Sequence, residues 1–459
     1  MDFSFFDASA CAERRARLAA RLGNLPALIA AGAPRPRGTH RGHYPFRAAS
    51  HFLYLFGLHL PKAMGLWSGE RWQLYLPEPA ADAALWTGPV PDFAALSEMF
   101  GVAVLPMPRL AETLARKTTS TLPAPEFETC LEQSNLLGRE IRPGVLPAAD
   151  EPLADALIAM RLVHDAAGIA GLREAADATV AAHLAGLRAT RPKIRESEVR
   201  AALEAELCRR NMTVSYTSIV SVRGEILHNE DHHHMLADGD LLLIDAGAET
   251  RGGWAGDVTR TWPVSGRFSP TQRDLYDVVL LAQAAAVAAV RPGLRYLDLQ
   301  GIASHAIAKG LIGLGLLGGD PAELVADGVV ALFFPHGVGH LIGLDVHDLD
   351  DLGDRAAYAP GRTRSTSPGF RALRLDRDLV PNMAVTIEPG FYQVPAILDD
   401  PERTRAARDR LRRERLAAFH DVRGIRIEDT ILVTANGHED LTSALPKQAP
   451  AVENAMRAS

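Results

Sequence analysis

Leu241-Leu242-Leu243-Ile244-Asp245, then Gly252-Gly253, then Gly256-Asp257-Val258-Thr259-Arg260-Thr261: this stretch decides how the second half of the chain is read. An unbroken aliphatic run ends in a carboxylate, and a second strand-like run begins directly after another. The glycines between them predict a turn, and a hairpin closed there sets Asp245 and Asp257 side by side. Two carboxylates at close range repel, and one has its pKa raised unless a cation sits between them. The pair therefore asks for a metal ion or a shared proton, although by itself the pattern also fits a capped turn with an exposed aspartate.

Working outward, Pro335-His336-Gly337-Val338-Gly339-His340-Leu341-Ile342-Gly343-Leu344-Asp345-Val346-His347-Asp348 packs three histidines among glycines and aliphatics. The glycines permit close backbone approach and argue against a regular helix. Two further carboxylates sit in apolar strand contexts, in Val385-Thr386-Ile387-Glu388-Pro389-Gly390 and in Ile425-Arg426-Ile427-Glu428-Asp429. Strand alternation puts Arg426 and Glu428 on one face, where an outward orientation would make them an ion pair of little worth.

Before these motifs, up to about residue 150, short apolar runs (Pro26 to Ala30, Phe52 to Phe56, Trp72 to Leu76) alternate with helical patterns and argue an α/β domain. Pro143, Pro147 and Pro152 punctuate the chain, and helical spacing takes over from Asp155. We place the boundary within 145–155, giving an α/β domain over 1–150 and an α+β domain over 151–459. The charged stretch from Asp399 to Arg415 has helical composition and reads as a solvated helix. The 459 residues carry a net charge of −7, without the basic excess of a phosphate-backbone binder, so nucleic acid is not expected as a partner. Three cysteines without a C-x-x-C pair suggest neither a disulfide framework nor a thiolate zinc site and fit a reducing cytoplasm. The N-terminus lacks the basic start and apolar core of a signal peptide. The longest apolar helical candidate, Val278 to Val290, is too short to span a bilayer, so no membrane partner is expected.

Taken together, Asp245, Asp257, His340, Glu388 and Glu428, each inside its own signature, resemble the dinuclear-metal peptidases of the pita-bread fold, which include methionine aminopeptidase, aminopeptidase P and prolidase. Tyr44-Pro45-Phe46-Arg47 and Phe52-Leu53-Tyr54-Leu55-Phe56-Gly57 are similar to the N-terminal segment of the prolidase and aminopeptidase P branch. The resemblance implies an α/β N-terminal domain followed by an α+β pita-bread catalytic domain. It makes Asp257 and Glu428 the carboxylates bridging two metals, with Asp245 completing one site and His340 and Glu388 the other. Oxygen donors with a single imidazole suit Mn²⁺, with Co²⁺, Zn²⁺ or Fe²⁺ as competitors. The implied reaction is hydrolysis of an Xaa-Pro imide bond by a hydroxide held between the metals, with Glu388 as general base. His336, His347 and His228 fall where the family keeps histidines that act on substrate and transition state. Arg374, Arg426 and Tyr392 fall near the substrate's proline end, where a guanidinium can grip a free carboxylate. Thr259 is either a partner of a ligating carboxylate or an ordinary strand threonine, and His232-His233-His234 falls where the family has an exposed loop.

Two features bear on the branch. The segment from Ser218 to His228 lacks the asparagines usual in relatives, which puts the pocket for the residue before proline in question. The long connection between Glu388 and Glu428 looks like prolidase and is longer than in typical aminopeptidase P; we read it as walling off the site and limiting substrate length. The expectation is a dipeptidase acting on Xaa-Pro dipeptides, with aminopeptidase P activity on longer peptides as the alternative and a metal-free pita-bread scaffold as the reading from another class. A cytoplasmic homodimer is the expected form.

Overall fold

The computed structural model describes residues 5–80, 82–88, 92–114 and 118–457. The first four residues of the N-terminal stretch read above lie outside them. The chain forms two compact units.

The first unit comprises residues 1–162 with the short segments 251–253 and 349–356. It is built on a five-stranded mixed sheet, ordered Ala103–Pro106, Trp72–Leu76, Met64–Trp67, Ala27–Ala30, Ser120–Thr121. Outer pairs are parallel and inner pairs antiparallel. One face buries Leu28, Met64, Leu66 and Tyr75 against Cys130 and Leu137 of the helix Phe127–Leu137. Of the three apolar runs in this half, two are strands and the third, Phe52–Phe56, lies in the buried helix Ser50–Phe56. A short run buried on all sides has no periodicity to separate the two conformations. The helix Glu151–Arg161, which the sequence placed at the start of the second domain, belongs to this unit.

In the second unit, two pairs of long helices pack together: Ala166–Ala189 with Glu196–Arg209, and Pro270–Ala289 with Tyr296–Gly313. Their starts follow the sequence: Asp165 accepts from Gly168 N at 2.9 Å, and Ser269 with Gln272 forms a capping box ahead of Pro270. Against the helices lie two three-stranded sheets, one ordered Val258–Pro263, Leu241–Ala246, Ile219–Ser221, the other Ala384–Ile387, Asp429–Thr434, Gly437–Asp440. The pair Gly390–Tyr392 and Gly424–Arg426 completes the β-structure around the site.

The charged stretch is not the helix its composition suggests. It consists of turns with a short 3₁₀ segment, Arg405–Ala407, and regular helix only over Arg413–Ala417. The reason is tertiary: Gly318 N donates to Arg410 O at 2.8 Å and Arg412 N to Leu316 O at 3.0 Å, so an edge pairing holds the backbone extended where a helix would have to pass. No helix among the described residues is long and apolar enough to cross a membrane.

Candidate metal centre

The strands Leu241–Ala246 and Val258–Pro263 pair antiparallel with Asp245 opposite Thr259 and Ala246 opposite Val258, so Asp257 falls at the open end of the ladder beside Asp245. Their approach requires Gly247, where a Cβ would lie 1.7 Å from Gly256 O. The segment Val338–His340 runs alongside Ala384–Ile387. Thr386 N donates to His340 O at 2.9 Å, Glu388 N to Val338 O at 2.8 Å, and His340 N to Thr386 Oγ1 at 3.1 Å. Gly339 makes this possible: its φ is +151°, and a Cβ there would meet Thr386 O at 2.2 Å. Glu428 is brought in from the other side by its own N–H, which donates to Thr259 O at 3.0 Å.

These constraints bring all five carboxylate and imidazole side chains singled out above into one buried cluster. His340 Nε2 lies 3.4 Å from Asp257 Oδ2 and 3.6 Å from Glu388 Oε1. Asp257, His340 and Glu428 each present a ligand atom within 4.8 Å of the others. Asp245 joins them through the Tyr216 hydroxyl, which reaches Oδ1 of both Asp245 and Asp257. Glu428 Oε2 accepts from Thr259 Oγ1 at 2.7 Å, so Thr259 does hold a carboxylate of the cluster, while Glu428 Oε1 is buried without a hydrogen-bond partner among the described residues.

The electrostatics show what the cluster lacks. Burial, reinforced by Asp257 and Asp245, lifts Glu388 to about 7 against the opposing influence of His340 and Arg426. Burial and the surrounding carboxylates raise Asp257 and Glu428 as well. His340 rises to about 9: burial disfavours its cation, but the hydrogen bond to Asp257 and the charges of Glu388 and Asp257 prevail. Carboxylates that push one another upward carry more negative charge than the site tolerates, and only protons or cations relieve it. The donor set fits divalent ions. His340 Nδ1–H donates to Leu341 O at 2.9 Å, which turns Nε2 toward the carboxylates, where a divalent ion can take the place of its proton. Together with the orphaned Glu428 Oε1, this is a site of hard oxygens and one imidazole, open to a cation.

The remaining histidines surround it. His336 Nε2 pairs with the Tyr392 hydroxyl at 2.8 Å, and its Nδ1 lies 3.8 Å from Glu388 Oε2. Burial first, then the Arg426 charge, lowers its pKa to about 3. The His347 ring packs edge-on against His340 with centroids 4.4 Å apart. Burial, then the charges of His340, Arg374 and His228, lowers it to about 2. His228 and Arg374 are exposed, and both lie near enough for their charges to act on His347.

Arg426 and Tyr392 are engaged differently from the expectation that they grip substrate. The Arg426 guanidinium is 4% exposed and committed on all three nitrogens: Nη2 to Asp245 Oδ2 at 2.5 Å, Nη1 to the Tyr392 hydroxyl at 3.0 Å and Nε to Thr259 Oγ1 at 3.0 Å. It cannot offer a bidentate face to a ligand without breaking them. Tyr392 is wholly buried between Arg426 and His336. Both order the site from behind.

Sequence reading missed Tyr216: the run Val214 to Val220 reads as a strand and carries no local mark of its role, whereas the structure puts Tyr216 in a bend between Thr213–Val214 and Ile219–Ser221. It also missed a buried ion pair between Arg260 and Asp429, with Arg260 Nη2 2.7 Å from Asp429 Oδ1. Arg260 Nη1 donates to the carbonyls of Thr259 (3.0 Å) and Glu428 (2.5 Å), tying both strands of the site together. The adjacency of Arg260 to Thr259 and of Asp429 to Glu428 was the available signal. The histidine tract is spent elsewhere: His234 pairs with Glu196 at 3.0 Å, and His232 donates to Ser218 O at 2.8 Å.

Fold and site together define a metal-dependent peptidase. The model for metallopeptidase family M24 matches residues 170–435, and that for the aminopeptidase P N-terminal domain matches residues 11–122. A probable Xaa-Pro aminopeptidase of Talaromyces marneffei is 33% identical over 426 residues, covering 89% of this chain and 87% of its own. A solved aminopeptidase PepP of Pseudomonas aeruginosa superposes with a TM-score of 0.81 at 29% identity, covering 99% of this chain and 98% of its own. Escherichia coli aminopeptidase P, solved with the inhibitor Pro-Leu, gives 0.80 at 28% identity over 99% of each chain. The chain belongs to metallopeptidase family M24, with the pita-bread fold behind an aminopeptidase P-type N-terminal domain, and is a metal-dependent Xaa-Pro peptidase.

Proposed function

We propose that the protein is an aminopeptidase P, releasing the N-terminal residue from peptides whose second residue is proline. The observation that carries this reading is the whole-length likeness to Xaa-Pro aminopeptidases. It displaces the dipeptidase expectation as the leading one. The commitment of Arg426 to Asp245 supports the change, since it removes one of the two arginines that were to grip a dipeptide's carboxylate. The dipeptidase remains the second reading, favoured by the exposed Arg374 near His347 and by the long connection between Glu388 and Glu428.

In this reading Asp245, Asp257, His340, Glu388 and Glu428 hold two divalent ions, Mn²⁺ the first choice. Such ions supply an activated water and polarise the scissile carbonyl. The protein's own groups do the rest. Glu388 takes a proton from the attacking water and delivers it toward the proline nitrogen. His336, held neutral by burial and oriented by the Tyr392 hydroxyl, and His347, held neutral beside His340, line the path of the carbonyl as neutral groups able to stabilise the tetrahedral oxyanion by hydrogen bonding. His228, exposed at the rim, contacts the substrate. A cytoplasmic homodimer completes the reading on the family resemblance alone.

The test is hydrolysis of an Xaa-Pro dipeptide beside the matching Xaa-Pro-Yaa tripeptide, with purified protein supplied with Mn²⁺. The tripeptide is expected to be the better substrate. Preference for the dipeptide returns the assignment to prolidase, and cleavage of neither revives the scaffold.

A further inference from the structure

The helix Tyr296–Gly313 presents two polar side chains to the segments that carry the metal centre. Tyr296 and Gln300 stand four residues apart on one face of it, and both are wholly buried. The Tyr296 hydroxyl donates to Thr386 O at 2.8 Å, in the strand that leads into Glu388. Gln300 is spent on backbone alone: Oε1 accepts from Val338 N at 2.6 Å, and Nε2 donates to Gly369 O at 3.0 Å and to His336 O at 3.4 Å. One acceptor with two donors is what a carboxamide offers, and asparagine, the other residue that carries one, is a methylene too short.

Residues 335–340 belong to no helix or strand. Val338 O and His340 are tied to the strand Ala384–Ile387 and to Glu388, whereas the carbonyl of His336 is tied to Gln300. The His336 ring is held at both nitrogens, Nδ1 to Gly337 O at 2.8 Å and Nε2 to the Tyr392 hydroxyl at 2.8 Å. Gly337 belongs to the same segment, so a shift of that backbone carries the ring away from Tyr392 and from Glu388 Oε2, 3.8 Å from Nδ1. On its other side the segment lies against residues 369–373: a Cβ on Gly337 would come 3.0 Å from Leu373 Cα and 3.2 Å from Ala372 O. Gln300 bonds to both segments, and it makes no hydrogen bond to any of the five ligand side chains.

We propose that Gln300 is a positioning residue for Xaa-Pro hydrolysis: by holding the backbone at His336 and Val338 against Gly369, it sets the His336 ring at the Tyr392 hydroxyl and beside Glu388. The inference rests on the role proposed for His336 at the tetrahedral oxyanion and adds the residue that puts it there. Gln300 acts through His336 and touches neither metal nor substrate, so its loss is felt in the transition state and not in metal binding.

The test is a double-mutant cycle on the Mn²⁺-loaded protein with an Xaa-Pro-Yaa tripeptide. Gln300→Met keeps the length of the side chain and loses all three hydrogen bonds. Its kcat is expected to fall about 10- to 100-fold, the scale of an ångström-sized misplacement, with KM and Mn²⁺ affinity close to wild type. In a His336→Ala background the same substitution is expected to cost little more, because the ring it positions is gone. In Gln300→Glu burial favours the neutral carboxyl, which keeps the acceptor and one donor and is expected to recover part of kcat. That variant also carries the cycle if Gln300→Met does not fold. An unchanged kcat in Gln300→Met, or an equal fold-loss with and without the His336 ring, overturns the inference and leaves the peptidase activity standing. A His336→Ala protein with full kcat removes the histidine's role and this inference with it, and a wild type that cleaves no Xaa-Pro peptide overturns the proposed activity.

Discussion

The Tyr216 hydroxyl reaches Asp257 Oδ1 at 2.5 Å from a bend more than forty positions earlier, between the short strands Thr213–Val214 and Ile219–Ser221, and it touches Asp245 as well. Burial and the charges of Asp245 and Asp257 hold its pKa well above that of a free phenol, so it keeps its one proton, shared between the two carboxylates, at any working pH. Tyr216→Phe keeps the ring and removes the donor. Mn²⁺ affinity, measured by calorimetric titration of the apoprotein, is expected to fall about 10- to 100-fold, the usual cost of losing a partner that orients ligands. Unchanged affinity would mean that the carboxylates are ordered without it.

Glu388→Gln keeps the shape of the side chain and removes its ability to accept a proton. Turnover of an Xaa-Pro-Yaa tripeptide is expected to fall by at least about 10²-fold, with circular dichroism unchanged. A variant that kept full activity would remove Glu388 from the mechanism.

Metal removal has a pH signature. Glu388 titrates near 4.5 when unfolded and at about 7 in the folded, metal-free protein. A carboxyl group raised in this way supports the fold below its unfolded pKa, and that support is lost as pH rises through the folded value. The chelator-treated protein is therefore expected to lose stability between about pH 4.5 and 7, while Mn²⁺ affinity rises over the same interval because ions replace protons. Thermal unfolding with and without Mn²⁺ across that range checks both. Curves that coincide at every pH would argue that no metal binds the folded state.

Asp429 is wholly buried between Arg260 and Lys447, whose cations outweigh burial and hold its carboxyl below the usual range. Asp429→Asn leaves two cations without their anion. Urea denaturation is expected to show a loss of about 3–5 kcal/mol. Mn²⁺ affinity should fall too, since Arg260 also bonds the Glu428 carbonyl. A loss below about 1 kcal/mol would show that water or Asp440, 3.0 Å from Lys447, takes over the charge.

How much of this was legible in the sequence follows from what each residue depends on. Asp245, Asp257, His340, Glu388 and Glu428 each end or open an apolar strand or a glycine-rich turn. Local chemistry and family resemblance therefore marked them, and the two-unit α/β and α+β plan came from the same alternation of runs. What remained hidden depends on neighbours far along the chain. Arg426 read as a substrate clamp because its partner Asp245 lies 181 residues away. Tyr216 read as a strand residue because the carboxylates it joins come together only in the folded hairpin. The stretch from Asp399 to Arg415 has helical composition, yet Arg410 O and Arg412 N bond to Gly318 and Leu316, and this edge pairing with a distant segment limits the stretch to turns. Sequence determined which side chains are chemically suited to the site, since chemistry resides in residue type. Only the tertiary structure decided which of them face the metal centre and which are consumed in holding it, because a hydrogen bond is settled by distance in space.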